Sequence, residues 1–411
     1  MFQCFTKELN VADARTSTRP WLKTHPWLSF EFSSESLPSD VWFLLGESQS
    51  KCEHLAGVPL RPDIAATLHR VYLAKGVQAT TAIEGNTLTE REVLDRIEGR
   101  LSLPQSKEYL GREVDNVIAA CNTIGKGAIH GVGGDLEPND LGDYNRKVLH
   151  ALALHPDAVP GVVRDHAVRV GTYLGPGFEH CSSLLENLCS WLNTGFIAPK
   201  GQEVPTAIIK AIIAHVYFVW IHPFSDGNGR TARLLEFRIL LEGGVPTPAA
   251  HLLSNYYNQT RSEYYRQLDQ ASMNGGDLVP FIRYAVTGFA DELREQVKWI
   301  RFQQMDVTWR NYVHELFQTV PASSVRDRQQ SLVLELSKQP SPVGTNELAG
   351  LTPGLAALYR HKTDKTLTRD VNRLIQMELV ERIGTKVRAR QEVVAAFLPA
   401  RRRPRGTHDA T

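Results

Sequence analysis

The run from Ile221 to Arg233 reads Ile-His-Pro-Phe-Ser-Asp-Gly-Asn-Gly-Arg-Thr-Ala-Arg, and its residue types suit the handling of a phosphate chain. Gly227 and Gly229 lack Cβ atoms, so the backbone there can take positive φ and bring successive N–H groups against an anion. The spacing predicts a helix from about Gly229, whose unpaired amides and positive dipole end favour a phosphate at the same point. Asn228 offers a side-chain donor. Arg230 and Arg233 stand three apart on that helix, so both guanidinium groups can point at one polyphosphate. Asp226 is a carboxylate among anion binders, and its expected task is to hold Mg²⁺, which would bridge phosphates and offset their charge. His222 lies at the mouth of the loop, where a neutral imidazole can take a proton from an incoming hydroxyl.

Two apolar segments must hold this loop. Ala207 to Ile221 is interrupted by Lys210 and His215 and is shorter than a membrane span requires, so it reads as a buried helix. Leu234, Leu235, Phe237, Ile239, Leu240 and Leu241 form a second helix, apolar on more than one side and stopped by Gly243-Gly244 and Pro246. A polar loop pinned between two such helices is preorganised, as a phosphate site needs to be.

The same residues resemble the Fic-domain signature His-x-Phe-x-Asp/Glu-Gly-Asn-Gly-Arg-x-x-Arg, with every fixed position met from His222 through Phe224, Asp226, Gly227, Asn228, Gly229 and Arg230 to Arg233. Fic proteins mostly transfer AMP from ATP to a Ser, Thr or Tyr hydroxyl of another protein. The resemblance implies His222 as general base and Asp226 as Mg²⁺ ligand. It implies ATP contacts at Gly227, Asn228, Gly229, Arg230, Thr231, Ala232 and Arg233, the two arginines clamping the β and γ phosphates. It also implies a mainly α fold, with a Fic-type helical core and a β-hairpin flap.

Three further stretches follow that pattern. Arg61-Pro62-Asp63 opens a helix, with Asp63 a candidate N-cap, that runs to Glu84 before Gly85; Thr89 to Glu92 reads as a capping box for the next. Thr80, Glu84 and Gly85 match the family's inhibitory pattern Ser/Thr-x-x-x-Glu-Gly/Asn, which implies that Glu84 pairs with Arg233 and keeps the γ-phosphate from its place. Pro160 to Gly171 alternates and carries turn residues, as a hairpin does; by resemblance this is the flap, with Val168, Arg169, Val170 and Gly171 the edge that docks a target segment by strand addition. Ser254 to Tyr257 and Glu263 to Leu268 resemble the segment closing the adenine side, and point to Tyr265 and Asn274 as nucleotide contacts.

Composition agrees with an intracellular enzyme. The 411 residues leave room for two or three domains, and a formal net charge of +1 provides no whole-chain field for nucleic acid. Five cysteines without a Cys-x-x-Cys pair argue against a disulfide framework or zinc site, and Met1 to Glu8 lacks the apolar segment of a leader; the expected location is cytoplasmic, with no membrane association. The expected organisation is an N-terminal arm over 1–60, extended and aromatic-rich; a catalytic core over 61–305 including the inhibitory helix 63–85, closed by a helix from Leu278 to Gln304; and a unit over 320–398 with a basic tail at 399–411. In that unit, helices at Ser331–Leu336, Thr345–Ala349 and Thr366–Ile375, then strands at Val380–Ile383 and Lys386–Ala389, resemble a winged helix. Lys362, Lys365, Arg369 and Arg373 could face DNA phosphates, although Asp364 and Asp370 dilute the charge; such modules also serve protein docking and dimer packing, which leaves a homodimer open. The expected partners are ATP and a protein presenting a hydroxyl. Two rival readings stand beside AMP transfer: removal of AMP or movement of another phosphate-containing group by the same site, and a regulator whose output is DNA binding.

Overall fold

The computed structural model describes residues 19–129 and 134–395; Cys4 and the basic tail 399–411 lie outside them. The chain is mainly helical and divides between Val297 and Lys298 into two compact units.

The first unit contains α1 (Ser39–Gly57), α2 (Pro62–Ile83), α3 (Glu90–Ile97), α4 (Glu108–Ile129), α5 (Pro138–Val148), the strands β1 (Arg169–Val170) and β2 (Tyr173–Leu174), α6 (Cys181–Thr194), α7 (Glu203–Ile221), α8 (Asn228–Glu242), α9 (Leu252–Gln259) and α10 (Arg261–Met273). A long helix, α11 (Val279–Gln318), begins in this unit. At the centre α7 packs against α8. α7 is apolar on all sides, and Ile208, Ala211, Ile212, Ala214 and Phe218 are completely buried; burying each large aliphatic or aromatic side chain contributes about 1.5–3 kcal/mol. α7 meets the length and hydropathy of a membrane span, yet 83% of that window is buried among the other helices, as a core helix would be. Around this pair α2 is sandwiched between α3 and α9, and α5 and α4 close on α8.

Several elements differ from expectation. The segment read as an extended arm contains α1, whose buried residues Val41, Leu45, Ser48 and Cys52 step by four, three and four and so lie on one helical face. Trp42 and Phe43, exposed beside that face, obscured the period. Asp63 does not cap α2; it stands inside the first turn and pairs with Arg61, the residue at the cap position. The Thr89–Glu92 capping box is formed in both directions. Gly125 and Gly127 lie within α4.

The second unit has its own core. Trp309, Val313 and Phe317 from the last turns of α11 join α12 (Ser324–Leu336), α13 (Pro353–Tyr359), α14 (Asp364–Gln376) and a three-stranded antiparallel sheet in the order β3 (Val343–Gly344), β5 (Lys386–Ala389), β4 (Val380–Ile383). α11 thus runs past Gln304, because its chain offers neither proline nor glycine between Ala290 and Gln318 and three apolar residues at helical spacing to bury. The helix expected at Thr345–Ala349 is a single 3-10 turn at Leu348–Gly350, while α13 starts where Thr352 caps and Pro353 occupies the first turn. β4 and β5 pair from Val380 with Ala389 to Ile383 with Lys386.

Asp370 holds this unit together. It is buried on α14 and accepts hydrogen bonds from Arg328 Nε at 2.7 Å, Gln329 Nε2 at 2.8 Å and Tyr359 Oη at 3.0 Å, tying α12 and α13 to α14. Asp370→Ala strands the buried Arg328 and is expected to lower unfolding stability by about 3–5 kcal/mol. Asp364→Ala, on the exposed start of the same helix, is expected to change it by less than about 0.5 kcal/mol. Calorimetric melting of both variants checks this, and equal shifts would contradict it.

Candidate active site

The loop between α7 and α8 is fixed by backbone geometry before any ligand enters. His222 ends α7 in the left-handed region at φ 47°, and Gly227, also left-handed at φ 76°, turns the chain into α8. Asn228 Nδ2 donates to Phe224 O at 2.7 Å while Phe224 N–H donates to Asn228 Oδ1 at 3.0 Å. The Asn228 side chain therefore closes the loop on itself, with its oxygen and one of its two N–H groups engaged. Phe224 is buried against Phe218.

Two residues with no local signal in the sequence complete the clamp. Asn145 on α5 donates to Asp226 O at 2.8 Å and accepts from Gly161 N–H at 2.9 Å. Arg164 is buried and donates to His222 O at 2.8 Å, His166 O at 2.6 Å and Pro176 O at 2.7 Å, joining the loop to both stems of the β1–β2 hairpin. Val163 and Phe224 form a bridge beside it. That bridge is the sole extended pairing of 160–168 among the described residues; the hairpin expected over 160–171 is β1–β2, turning at Gly171 and Thr172. The helical cap at the end of α2 brings Glu84 to this loop from the other side.

Glu84 Oε1 lies 2.6 Å from Arg233 Nη2, and the same guanidinium donates to Thr80 O at 3.0 Å. Burial pushes the Glu84 carboxyl up, but the charges of Arg233, Arg230 and His222 outweigh it and hold it below the usual carboxylate range. A Cβ on residue 229 would stand 2.1 Å from Glu84 Oε1, so only glycine there admits the contact. Arg230 faces Asp226 at 3.4 Å and Glu113 at 3.6 Å. Arg230 Nε and Nη1 and Arg233 Nε are buried without a hydrogen-bond partner. These idle donors, with the first amides of α8 ahead of the Thr231 N–H to Gly227 O bond, suit a polyanion. Among the described residues no group of three His, Cys, Asp or Glu gathers as a metal cage. The lone, half-exposed Asp226 carboxylate fits a Mg²⁺ ion that takes its other ligands from phosphates and water.

A cavity of about 720 Å³ opens beside this cluster. Glu84, His222, Gly229 and Arg233 line one wall, the hairpin residues Val170, Gly171, Thr172 and Tyr173 a second, and Tyr264, Tyr265 and Asp269 of α10 a third. Tyr265 Oη lies 3.4 Å from Ile83 O at the end of α2. Asp226, Gly227, Asn228 and Arg230, on the loop and the first turn of α8, stand outside the lining, and so do the remaining expected contacts. Asn274 is exposed at the far end of α10, because helical rise carries it away from Tyr265. Thr231 donates its hydroxyl to Gly227 O and Ala232 is fully buried, so the helix spends both on the core side. Val168 lies at the hairpin base, its carbonyl accepting from Gly175 N–H at 3.1 Å, and Arg169 begins β1. Tyr264 was missed; its Oη lies 2.8 Å from the buried His215 Nε2.

His222 is electronically prepared to accept a proton. Its Nδ1 faces Val219 O at 3.3 Å, and a carbonyl only accepts, so Nδ1 carries the hydrogen and Nε2 the lone pair. Burial, with the nearby Arg164 charge, lowers its pKa to about 4 despite that hydrogen bond. The neutral form is thus expected to persist well below pH 6.5, and a rate that needs it should bend near pH 4, with no bend near 6.5. Between those values the unfolded chain binds the proton that the folded chain refuses, so His222 makes stability fall as pH drops from about 6.5 to about 4. A rate profile with its acid limb at 6.5 would contradict this.

Part of the chain that carries this geometry is similar to a known family. Residues 136–240 match the profile of the Fic/DOC family. This segment is similar to a Fic domain. Chains similar to it include the protein adenylyltransferase fic-1 of Caenorhabditis elegans, 33% identical over 209 residues, and the protein adenylyltransferase Fic of Nematostella vectensis, 32% identical over 206 residues. These matches cover 51% and 50% of this chain but only 38% and 44% of the relatives' own length. Among solved structures, a Fic family protein from Desulfovibrio desulfuricans G20 superposes with a TM-score of 0.53 at 20% identity, covering 86% of this chain and 97% of that one. Fic-1 of C. elegans superposes with a TM-score of 0.50 at 23% identity, covering 72% and 80%. At such identities the superpositions show the fold. The matched segment contains α5 to most of α8, while Glu84 comes to the cavity from outside the matched residues.

Proposed function

We propose that this chain transfers AMP from ATP to a Ser, Thr or Tyr hydroxyl of a protein target, and that Glu84 holds it at rest. The observation that carries the reading is the Glu84–Arg233 pair standing in one cavity with His222 and Gly229. The target hydroxyl gives its proton to His222 Nε2 as its oxygen bonds to the α-phosphorus, and the bond from that phosphorus to pyrophosphate breaks. Arg230 and Arg233, with the amides at the start of α8, hold the phosphates. Asp226 would hold Mg²⁺, whose charge offsets that of the phosphates. Tyr265 provides an aromatic face at the cavity's α10 wall for base or ribose.

Residues Val168 to Gly171 position the target by main-chain pairing. Among the described residues β1 pairs with β2 alone, and the outer side of β2 is taken where His25 Nε2 donates to Leu174 O at 2.9 Å. The C-terminal unit is read as a winged helix, supported by the succession α12, α13, α14 and the β4–β5 hairpin joined by β3. A cytoplasmic location belongs to the same proposal; the four described cysteines are buried free thiols, which suits a reducing compartment.

The deciding experiment compares ATP labelled at the α- or the γ-phosphate, with Mg²⁺ and candidate target proteins. Protein-bound label from the α position alone is the expected result. Label from the γ position would make the enzyme a kinase, and loss of label from an adenylylated target would favour AMP removal.

A further inference from the structure

α14 buries Leu367, Asp370, Val371 and Leu374, spaced three and four apart, and turns the opposite face to solvent. The one acidic side chain in the middle of the helix is thereby taken out of the surface, since Asp370 is consumed by Arg328, Gln329 and Tyr359. What remains outside is Lys365, Thr368, Arg369, Asn372, Arg373 and Gln376, preceded by Asp364 in the first turn. These residues border a shallow groove of about 750 Å³.

The pairing of charges in this unit is uneven. Arg310 meets Asp306 at 2.9 Å, Arg326 meets Asp327 at 3.0 Å, Lys338 meets Glu335 at 2.6 Å, and Arg388 meets Glu392 at 3.0 Å. Lys365, Arg369 and Arg373 have no acidic partner among the described residues; Arg373 reaches only the amide of Gln376, at 3.5 Å. Arg382 on β4 donates to Asn372 Oδ1 at 3.2 Å, which fixes the hairpin beside the helix, and Lys386 stands exposed at its turn. Cations left uncompensated along one helix face, alternating with amide and hydroxyl side chains, suit an extended polyanion with hydrogen-bonding edges.

We propose that the exposed face of α14 is a binding site for double-stranded DNA. The helix lies in the major groove, with Lys365, Arg369 and Arg373 reaching phosphates or guanine edges and Thr368, Asn372 and Gln376 reading base edges. The β4–β5 hairpin brings Lys386 to the neighbouring backbone. This site is independent of the chemistry proposed for the first unit.

The test is fluorescence anisotropy of the full chain with a labelled mixed-sequence duplex of about 20 base pairs, at salt concentrations between about 50 and 200 mM. Wild type is expected to bind, with affinity falling steeply as salt rises. The variant Arg369→Gln with Arg373→Gln is expected to bind at least about tenfold more weakly and to lose about two from the magnitude of the log–log salt slope. Lys338→Gln, a paired lysine elsewhere in the unit, should bind as wild type does, and equal melting temperatures confirm that all variants are folded. Absence of duplex binding by wild type at the lowest salt would overturn the proposal, as would unchanged binding by the double variant. Displacement of the duplex by poly-glutamate at equal charge concentration would also overturn it, because the face would then be a docking surface for acidic protein.

Discussion

Glu84→Gly is expected to raise AMP transfer by roughly 30-fold or more. An ion pair at about 4 Å is worth on the order of 4 kcal/mol at an effective dielectric near 20, and each 1.4 kcal/mol is a factor of ten. The Glu84 side chain keeps a third of its surface exposed, so solvent screening reduces that figure by roughly half. The change also frees space above Gly229, where Glu84 Oε1 now stands. A second consequence follows from Arg233, which is buried and would lose its partner. The variant should melt at a lower temperature without nucleotide and recover more than wild type does when ATP and Mg²⁺ are added. Because Glu84 caps α2 and Gly85 follows it, glycine at 84 also loosens the helix end; Glu84→Gln, which keeps shape and removes charge, separates the two effects and should activate to an intermediate degree. Measured label incorporation that stays at the wild-type level in both variants would show that the pair is structural.

The largest loss is expected at His222, on the same wall of the cavity. His222→Asn in the Glu84→Gly background should lower kcat by about 10²- to 10⁴-fold while leaving ATP affinity nearly unchanged, since the imidazole provides a proton acceptor and no phosphate contact. Asparagine is the better substitute than alanine because residue 222 sits at φ 47°, a conformation asparagine tolerates. Arg233→Ala in the same background should also lose transfer, but through ATP binding, and titration of ATP distinguishes the two. Transfer that survives His222→Asn would remove this residue from the role of base.

The sequence revealed those parts of the site that are contiguous. From His222 to Arg233 the chemistry is written along one loop and one helix start, so residue type and spacing were enough to locate the cluster. Glu84 was legible because a helix end, a following glycine and the family pattern coincide. Asn145 and Arg164 were not legible, since each acts on a backbone carbonyl far along the chain, Asn145 on Asp226 and Arg164 on His222. Asn228 has a further task for a related reason: an amide at a helix start suggests a donor to ligand, and only the fold shows it also bonded to Phe224 N–H and C=O, closing the loop. In the second unit β4 and β5 lay at the expected Val380–Ile383 and Lys386–Ala389, whereas β3, two residues long, is defined by its partner rather than by its own sequence.

The open side of β1 bears on which proteins such an enzyme would modify. A two-residue edge accepts only backbone that is already extended, because a helix keeps its N–H and C=O groups engaged within itself. A hydroxyl in a folded helix or a central strand would be presented only while its segment is locally unfolded, and each 1.4 kcal/mol of local stability would make that tenfold rarer. On the proposed chemistry, the choice of target would then report how readily a partner's chain opens, and a single destabilising change in that partner would turn a poor acceptor into a good one with no change in the sequence around its hydroxyl.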